Sequence, residues 1–538
     1  FFQPAKSGHS GRQQLLERFR KPIELFSGAA FGVYLIHEHL NLRVIWQQWF
    51  HCGVQAENSV AGFLMHMFVT VAGVYLVCTA LELIRQNGMM TVVPMTILLL
   101  YPLRHAAVGV DLMDAGYALG NYHFLDTVNE MWTLATYLAN MTGVWLSKLP
   151  FGGCWIGMNV YCGLLIGAVA AGVYYALWRR YGQRRRKYAA LLFGAEFTAL
   201  SLCWAPPVIL YHYLGYLLMT AAAIVLYAAI IRNKRSYFII AGVILGCCVA
   251  VRMPNITYMA LILPVWCDCF WSRKRTEALD QYTWFERLVR RTMYCISGYL
   301  IGLMVPLGVI CARYGLAAYP RMVSSLFGMT DHAADYKPMS MITAMFRDYM
   351  QYSVWLLLFV FYMVCGLIAK KLERNHTLSK KIAFVLEIFY SFGFLVVLRF
   401  CYGRGMFDFN YTDNFSMYKW VTVYLLIAVG LCAWCLTDKK SSREYRLWAV
   451  FLLVIILITP LGSNNGLYPI INNLFLVFPV SMLMTAEAFK KSSPNASAFR
   501  LVLGMVLACV MIQSVLFGVN FVFHDAKQYT LYHHAGKH

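Results

Sequence analysis

Charge is scarce in this chain, and acidic charge is scarcest. Of 538 residues only 25 are Asp or Glu, and charged residues of both signs make up 13% against 60% hydrophobic. A soluble protein of 61.4 kDa could not hide that much apolar surface, because even large soluble domains keep a polar exterior. The shortage excludes a soluble enzyme, a disordered chain and a fibrous protein. Ordered cysteine spacing is missing too. Sixteen cysteines are scattered through apolar stretches such as Cys247-Cys248 and Cys432/Cys435. No CxxC pair has a matching second pair, and Cys267 and Cys269 form only a C-x-C. Most read as small hydrophobes, neither a zinc site nor a disulfide framework. The opening FFQPAKSGHSGRQQLLERFRK has no apolar core and is not a signal peptide. It starts on Phe1, not Met, and the expectation is that the record begins inside a longer reading frame.

What is present is hydrocarbon. Mean hydropathy is +0.57. Apolar stretches recur fifteen times between residues 22 and 523, most near the ~20 residues needed to cross a bilayer. Those at 236–251, 257–271 and 447–461 are short. The expected fold is all-α: a polytopic integral membrane protein of about 15 transmembrane helices, two before a boundary in RQNGMMT and thirteen after it. That places one segment at 1–88 and a second at 89–538, divided at an Asn-Gly breaker pair.

The 46 basic residues and formal net charge of +21 would suggest nucleic acid in a soluble protein. Here they alternate with the spans. Segments 179–187, 231–235, 272–292, 370–381, 437–446 and 489–500 hold 27 Lys and Arg; segments 106–154, 206–214, 252–257, 312–350, 401–418, 462–472 and 524–538 hold 9. The asymmetry predicts that the first set lies inside and the second outside, with membrane lipid and no nucleic acid as partner.

Residues 27–43, SGAAFGVYLIHEHLNLR, lead through small residues to His37, Glu38 and His39. The polar group is either an interfacial site or a helix end resting in headgroups. With the span at 59–84 ending in LELIR, this stretch resembles the last two membrane helices of the acyltransferase-3 family, polytopic enzymes that acylate cell-surface sugars. In that family the catalytic histidine and paired arginines lie near the start of the domain. Nothing here corresponds to them, so no catalytic role passes to His37 and the piece alone should acylate nothing.

The strongest chemical signal is GVDLMDAGYALGNYHFLD, residues 109–126, directly after the span 91–109. Asp111 and Asp114 share a face on a helical turn, and Asp126 and Glu130 follow four apart. Carboxylates beside a membrane face can act as general base or metal ligand, or simply as solvated caps. Gly116 and Gly120 permit a close-approaching loop. An acid immediately after the first span, with thirteen spans and two long outside loops, resembles the C-type glycosyltransferases, which take a sugar from a polyprenyl-phosphate carrier. The resemblance covers 91–538 in architecture and only DLMDAGY in motif. It implies Asp111 and Asp114 as catalytic base or metal organiser, with a divalent cation as possible cofactor. It implies a polyprenyl-phosphate-linked sugar and a glycan acceptor as partners, at a bacterial plasma membrane. The chain lacks a large soluble C-terminal domain, so it looks more like the compact enzymes that use single-sugar carriers.

Other groups could complete a substrate site. Arg104, with His105, stands in the first span of this unit, where an arginine is costly unless paired; Asp111 or Asp114 is its nearest acid in sequence. Arg252 in VRMPNIT either binds a carrier phosphate or snorkels. Tyr117 follows the acids, His332 lies in MTDHAADYKP, and Arg399 and Arg404 flank CYG. His212 between Tyr211 and Tyr213 reads as interfacial. The loop 312–350 is expected to fold over the acids as a partial lid. A transporter or flippase, which would favour acids buried mid-span, and a noncatalytic scaffold are the competing classes.

Overall fold

A computed structural model describes residues 91–106, 114–182, 186–203, 208–273, 281–331, 338–374, 379–406, 415–438, 441–463 and 465–491, with scattered positions between 60 and 78 and between 504 and 516. His37, Asp111 and His332 lie outside the described residues. The chain divides into two units, Phe1–Pro94 and Met95–His538. In the first, residues 66–75 form an apolar helix.

Every regular element among the described residues is helical. In order they are α1 (Val92–Leu100), α2 (Asp114–His123), α3 (Glu130–Ala135), α4 (Tyr137–Ser147), α5 (Trp155–Leu177), α6 (Arg186–Leu202), α7 (Tyr211–Arg232), α8 (Arg235–Val251), α9 (Leu263–Arg273), α10 (Gln281–Tyr314), α11 (Ala318–Asp331), α12 (Pro338–Arg374), α13 (Lys380–Gly403), α14 (Phe415–Thr437), α15 (Arg443–Ile458), α16 (Tyr468–Ile471) and α17 (Val477–Lys491). Six segments are long and apolar enough to cross a membrane: Trp155–Gly182, Tyr211–Arg232, Trp284–Tyr314, Met339–Gly366, Phe384–Gly403 and Tyr418–Thr437. Shorter apolar helices include Val92–Arg104, Tyr188–Leu202, Arg235–Val251 and Val477–Ala488. The six stand where six of the fifteen expected spans do.

Local signals start and stop these helices. Asn129 caps α3 by accepting from the Met131 N–H (2.9 Å), and Ser379 and Ser442 cap α13 and α15. Asn233 takes a left-handed conformation (φ 52°) at the end of α7, which releases the chain into α8. The apolar run of α1 ends where Pro102 tightens residues 101–105 into a 3₁₀ turn, earlier than the expected Gly109. The segments 106–154 and 312–350, read as loops, hold α2, α3, α4, α11 and the start of α12. Of these, α2, α3, α4 and α11 have no bilayer-length apolar run, whereas α12 carries the apolar segment Met339–Gly366.

Helices approach closely where side chains vanish. Gly242 and Gly246 of α8 face Gly298 and Gly302 of α10, so each helix offers a small-xxx-small pair to the other. A Cβ on Gly242 would lie 2.2 Å from the Cys295 carbonyl oxygen, and one on Gly302 would lie 2.1 Å from that of Val243. Close backbone approach with dispersion contact is how helices associate where burial from water supplies no drive.

The helix ends gather into two polar groups. In the first, Asp268, 1% exposed, accepts from Arg291 Nη1 (2.8 Å) and from Arg443 Nε (2.6 Å) and Nη2 (2.8 Å). Arg291 also donates to Asn233 Oδ1 (2.8 Å). Next door, Glu444 accepts from Arg180 and from the hydroxyls of Tyr181 (3.1 Å) and Tyr227 (3.3 Å), and the Tyr227 ring stacks on Trp448 at 4.0 Å. In the second, Asp126 pairs with Arg313 (2.5 Å) and Glu130 with Arg321 (2.8 and 3.1 Å). Tyr122 donates to the Ile209 carbonyl (2.5 Å), Arg252 to that of Gly462, and the Leu467 N–H donates to Asp348 (2.9 Å). The apolar segment Trp155–Gly182, 28 residues or about 42 Å long, begins beside the second group and carries Arg180 of the first near its end. Helices α7 and α10 make the same traverse.

Candidate functional site

The site assembles around α2, which begins at Asp114 just after the first apolar helix of the larger unit. Asp114 is exposed, and its charge is felt at Tyr213, near the start of α7. Helical spacing then sorts α2 into two faces, each lining a cavity. Gly116, Tyr117, Gly120 and Asn121 open onto a cleft of about 530 Å³ closed by Trp132 and Tyr211. Leu119, Tyr122 and His123 face a second cavity of about 650 Å³.

The first cleft has aromatic walls and buried polar groups. Tyr117 meets Trp132 edge-to-face at 5.4 Å. Nothing would touch a Cβ on Gly120, so the small residue keeps that wall open. Asn121 is 3% exposed, and its amide and the buried Thr136 hydroxyl both lie close enough to the Tyr117 hydroxyl to interact with it, though neither meets it in a well-formed hydrogen bond. A ligand or water in the cleft would complete this loosely paired set.

Behind Tyr211 stands Arg252. Its guanidinium carbon lies 5.2 Å from the Tyr211 ring centroid, and it donates to the Gly462 carbonyl. The turn that receives it is built on glycine: Gly462 (φ 85°) and Gly466 (φ 56°) take left-handed conformations. A Cβ on Gly466 would strike Asp348 Oδ2 at 2.0 Å. Tyr213 donates to Asn472 Oδ1 (3.0 Å) beyond this turn. The His212 ring packs against Tyr211, Tyr213 and Tyr216 at 4.8–5.9 Å between centroids.

Of the expected site residues, Asp114, Tyr117 and Arg252 fall in this region. Arg104 does not reach an acid in any ion pair among the described residues. Its guanidinium lies 3.6 Å over the Tyr101 ring and donates to the Tyr101 carbonyl (3.1 Å), while its Nε is buried and unpartnered. Arg404 is exposed at the end of α13, over the Phe400 ring, and its carbonyl accepts from Lys419 (2.9 Å). The 313–323 stretch meets the first loop at Asp126, Glu130, Leu134 and Tyr137.

Asp126 and Glu130 are engaged by arginines. The Arg321 hydrogen bond holds the Glu130 carboxyl below the ordinary carboxylate value. No group of three His, Cys, Asp or Glu that could hold a metal ion occurs among the described residues. Sequence reading missed Asn121, Trp132, Asp348 and the glycine turn at 462–466. It also passed over Glu196, which is 0% exposed with neither carboxylate oxygen partnered among the described residues. The only signal for Glu196 was its lone charge in an apolar run.

No family model, curated protein or solved structure matches the chain.

Proposed function

We propose that the chain is a membrane-embedded transferase of surface-glycan assembly, moving a sugar from a polyprenyl-phosphate carrier to an acceptor hydroxyl at the outer face. The observation that carries the reading is the cleft along α2, the helix that begins at Asp114, with aromatic walls and the buried Asn121 amide. Its size lies in the range of small-molecule sites. Tyr117, Trp132 and Tyr211 suit the C–H face of a sugar ring, and Asn121 suits a hydroxyl. The donor's tail stays in the bilayer, so a base serving it must stand near the end of an apolar helix. Asp114 stands there, and Asp111 precedes it by three residues in the sequence. One of them takes the acceptor's proton as its oxygen attacks the anomeric carbon, and the phosphate leaves with the bonding pair. Arg252 supports the Tyr211 wall from behind.

The test is transfer from a radiolabelled polyprenyl-phosphate sugar pool in membranes. Asp111→Asn, Asp114→Asn or the double variant should lose ~10²–10⁴ in rate. Trp132→Ala should weaken donor or acceptor binding. Full activity in the double aspartate variant ends this assignment.

Glu196 favours a second reading, a transporter or flippase for a glycan or lipid-linked substrate, because unpaired acids deep in apolar helices mark ion or proton paths. Substrate uptake into vesicles that is lost in Glu196→Gln, with no sugar transfer in the wild type, would select it. The acyltransferase-3 resemblance of residues 1–88 stays a proposal. Acyl transfer by this chain, lost in His37→Ala, would extend it to the chain itself.

A further inference from the structure

The second cavity is separate from the sugar cleft and chemically different. It lies on the other face of α2, has a volume of about 650 Å³, and is lined by His123, Asp126, Lys148, Gly153, Trp155 and Arg313 among others. Its position is set by two long apolar segments: Trp155 begins one and Arg313 stands one residue from the end of another. A cavity at two such ends lies at the headgroup level of a bilayer.

Its charge is positive. Asp126 is neutralised by Arg313 at 2.5 Å, and the Tyr314 hydroxyl also reaches Asp126 (3.5 Å). The ammonium of Lys148, at the C-terminal end of α4, makes no hydrogen bond or ion pair among the described residues. The His123 ring meets Phe124 edge-on at 4.7 Å, with no hydrogen bond among the described residues. Two nitrogen groups are therefore free to serve a ligand, beside an arginine with donors to spare.

Next to the lining residues the surface is apolar and held in place. Trp145, in the last turn of α4, is 68% exposed, and Phe151, within the α4–α5 turn, is 84% exposed. Phe151 sits at φ 62°, a conformation rarely adopted by a bulky side chain. The turn is fixed by Gly152 N–H to the Leu149 carbonyl (2.8 Å) and Tyr161 hydroxyl to that of Pro150 (2.6 Å). Strain of this kind persists only where surrounding structure enforces it, and it clusters where ligands bind. A surface that exposes tryptophan and phenylalanine beside a free ammonium suits the boundary between acyl chains and headgroups.

We propose that this cavity binds the phosphate-bearing head of an anionic membrane lipid. Lys148, His123 and Arg313 take the phosphate, and the Trp145–Trp155 turn lies along the acyl chains. The shared chemistry is a phosphate ester, so a soluble phosphate is the competing source.

The experiment uses the full chain in mixed micelles with phosphatidylglycerol or phosphatidylcholine, counting retained lipid by native mass spectrometry. Phosphatidylglycerol should be retained over phosphatidylcholine. Lys148→Glu and the His123→Ala/Lys148→Ala pair should weaken it about tenfold or more, and Lys148→Arg should keep it. Phe151→Ser should lower retention of both lipids. Lys148 and Phe151 are exposed, so these variants should keep the wild-type melting temperature. Equal retention of the two lipids, unchanged retention in Lys148→Glu, or displacement by glycerol phosphate at concentrations matching phosphatidylglycerol would each overturn the proposal. Asp114→Asn should leave retention unchanged, so this site stands or falls separately from sugar transfer.

Discussion

Asp268 and Glu196 are both acids buried to 1% exposure or less, and they differ in their neighbours. Two guanidinium groups converge on Asp268, whereas Glu196 has no partner among the described residues. Removing one member of a buried ionic set leaves the rest uncompensated, at about 3–5 kcal/mol. Asp268→Ala should therefore lower the unfolding free energy in detergent by about that amount, and a melting temperature within a degree of wild type would contradict it. None of this was legible in sequence. The C-x-C of Cys267 and Cys269 drew the eye, while the acid between them finds partners 23 and 175 residues away. Glu444 gives a pH signature. Burial alone would raise its carboxyl, but hydrogen bonds from Arg180, Tyr181 and Tyr227, with the Arg180 charge, outweigh burial and hold it below the ordinary value. A depressed folded pKa gives stability that is present above the unfolded value, about 4.3, and lost as pH falls through the folded one. Melting scans should show an acid limb below about pH 4 that is shallower in Glu444→Gln. Identical limbs would refute the assignment.

At the scale of elements, the crossing of α8 and α10 is the most exacting contact. Gly246 would place a Cβ 2.2 Å from the Tyr299 carbonyl oxygen, and Gly298 would place one 2.0 Å from that of Ile239. Backbone is the obstacle on both sides, so no side-chain rotation relieves it. Gly246→Leu should cost at least the ~1–3 kcal/mol typical of overpacking. Gly308, on α10 with nothing within 4 Å of its Cβ position, is the unobstructed control. Parallel melting curves of Gly246→Leu and Gly308→Leu test it, and equal destabilisation would remove the crossing from the account. Hydropathy located both helices, because an apolar run reports partition into hydrocarbon. It could not report which glycines face each other. For the same reason α2, α3, α4 and α11 passed as loops. Their apolar positions cover one side of short helices, and the cleft they build depends on contacts such as Tyr117 with Trp132 that sequence spacing only half suggests.

Across the larger unit, charge pattern and contact geometry agree without sharing a cause. The 27-to-9 division of Lys and Arg came from loop composition alone. The structure joins Arg180, Asn233, Arg291 and Arg443, all from the basic set, with Asp268 and Glu444 in one group. It joins Asp126, Glu130, Ile209, Arg252, Arg313, Arg321, Asp348 and Gly462, all from the other set, in contacts at the opposite helix ends. Basic groups held on one side by membrane insertion would produce this arrangement. The expected outcome is that 126–130 and 313–321 label from one face, and 233–235 and 287–291 from the other. Thr127→Cys and Leu316→Cys, with Leu316 82% exposed, serve for the first face, and Arg235→Cys and Arg290→Cys for the second. A membrane-impermeant maleimide applied to sealed, oriented vesicles should modify one pair until the vesicles are opened. The wild-type cysteines provide the blank, read peptide by peptide. Labelling of Thr127→Cys and Arg290→Cys from the same side would break the topology. The headgroup placement of both cavities would fall with it, because each rests on which helix ends share a face.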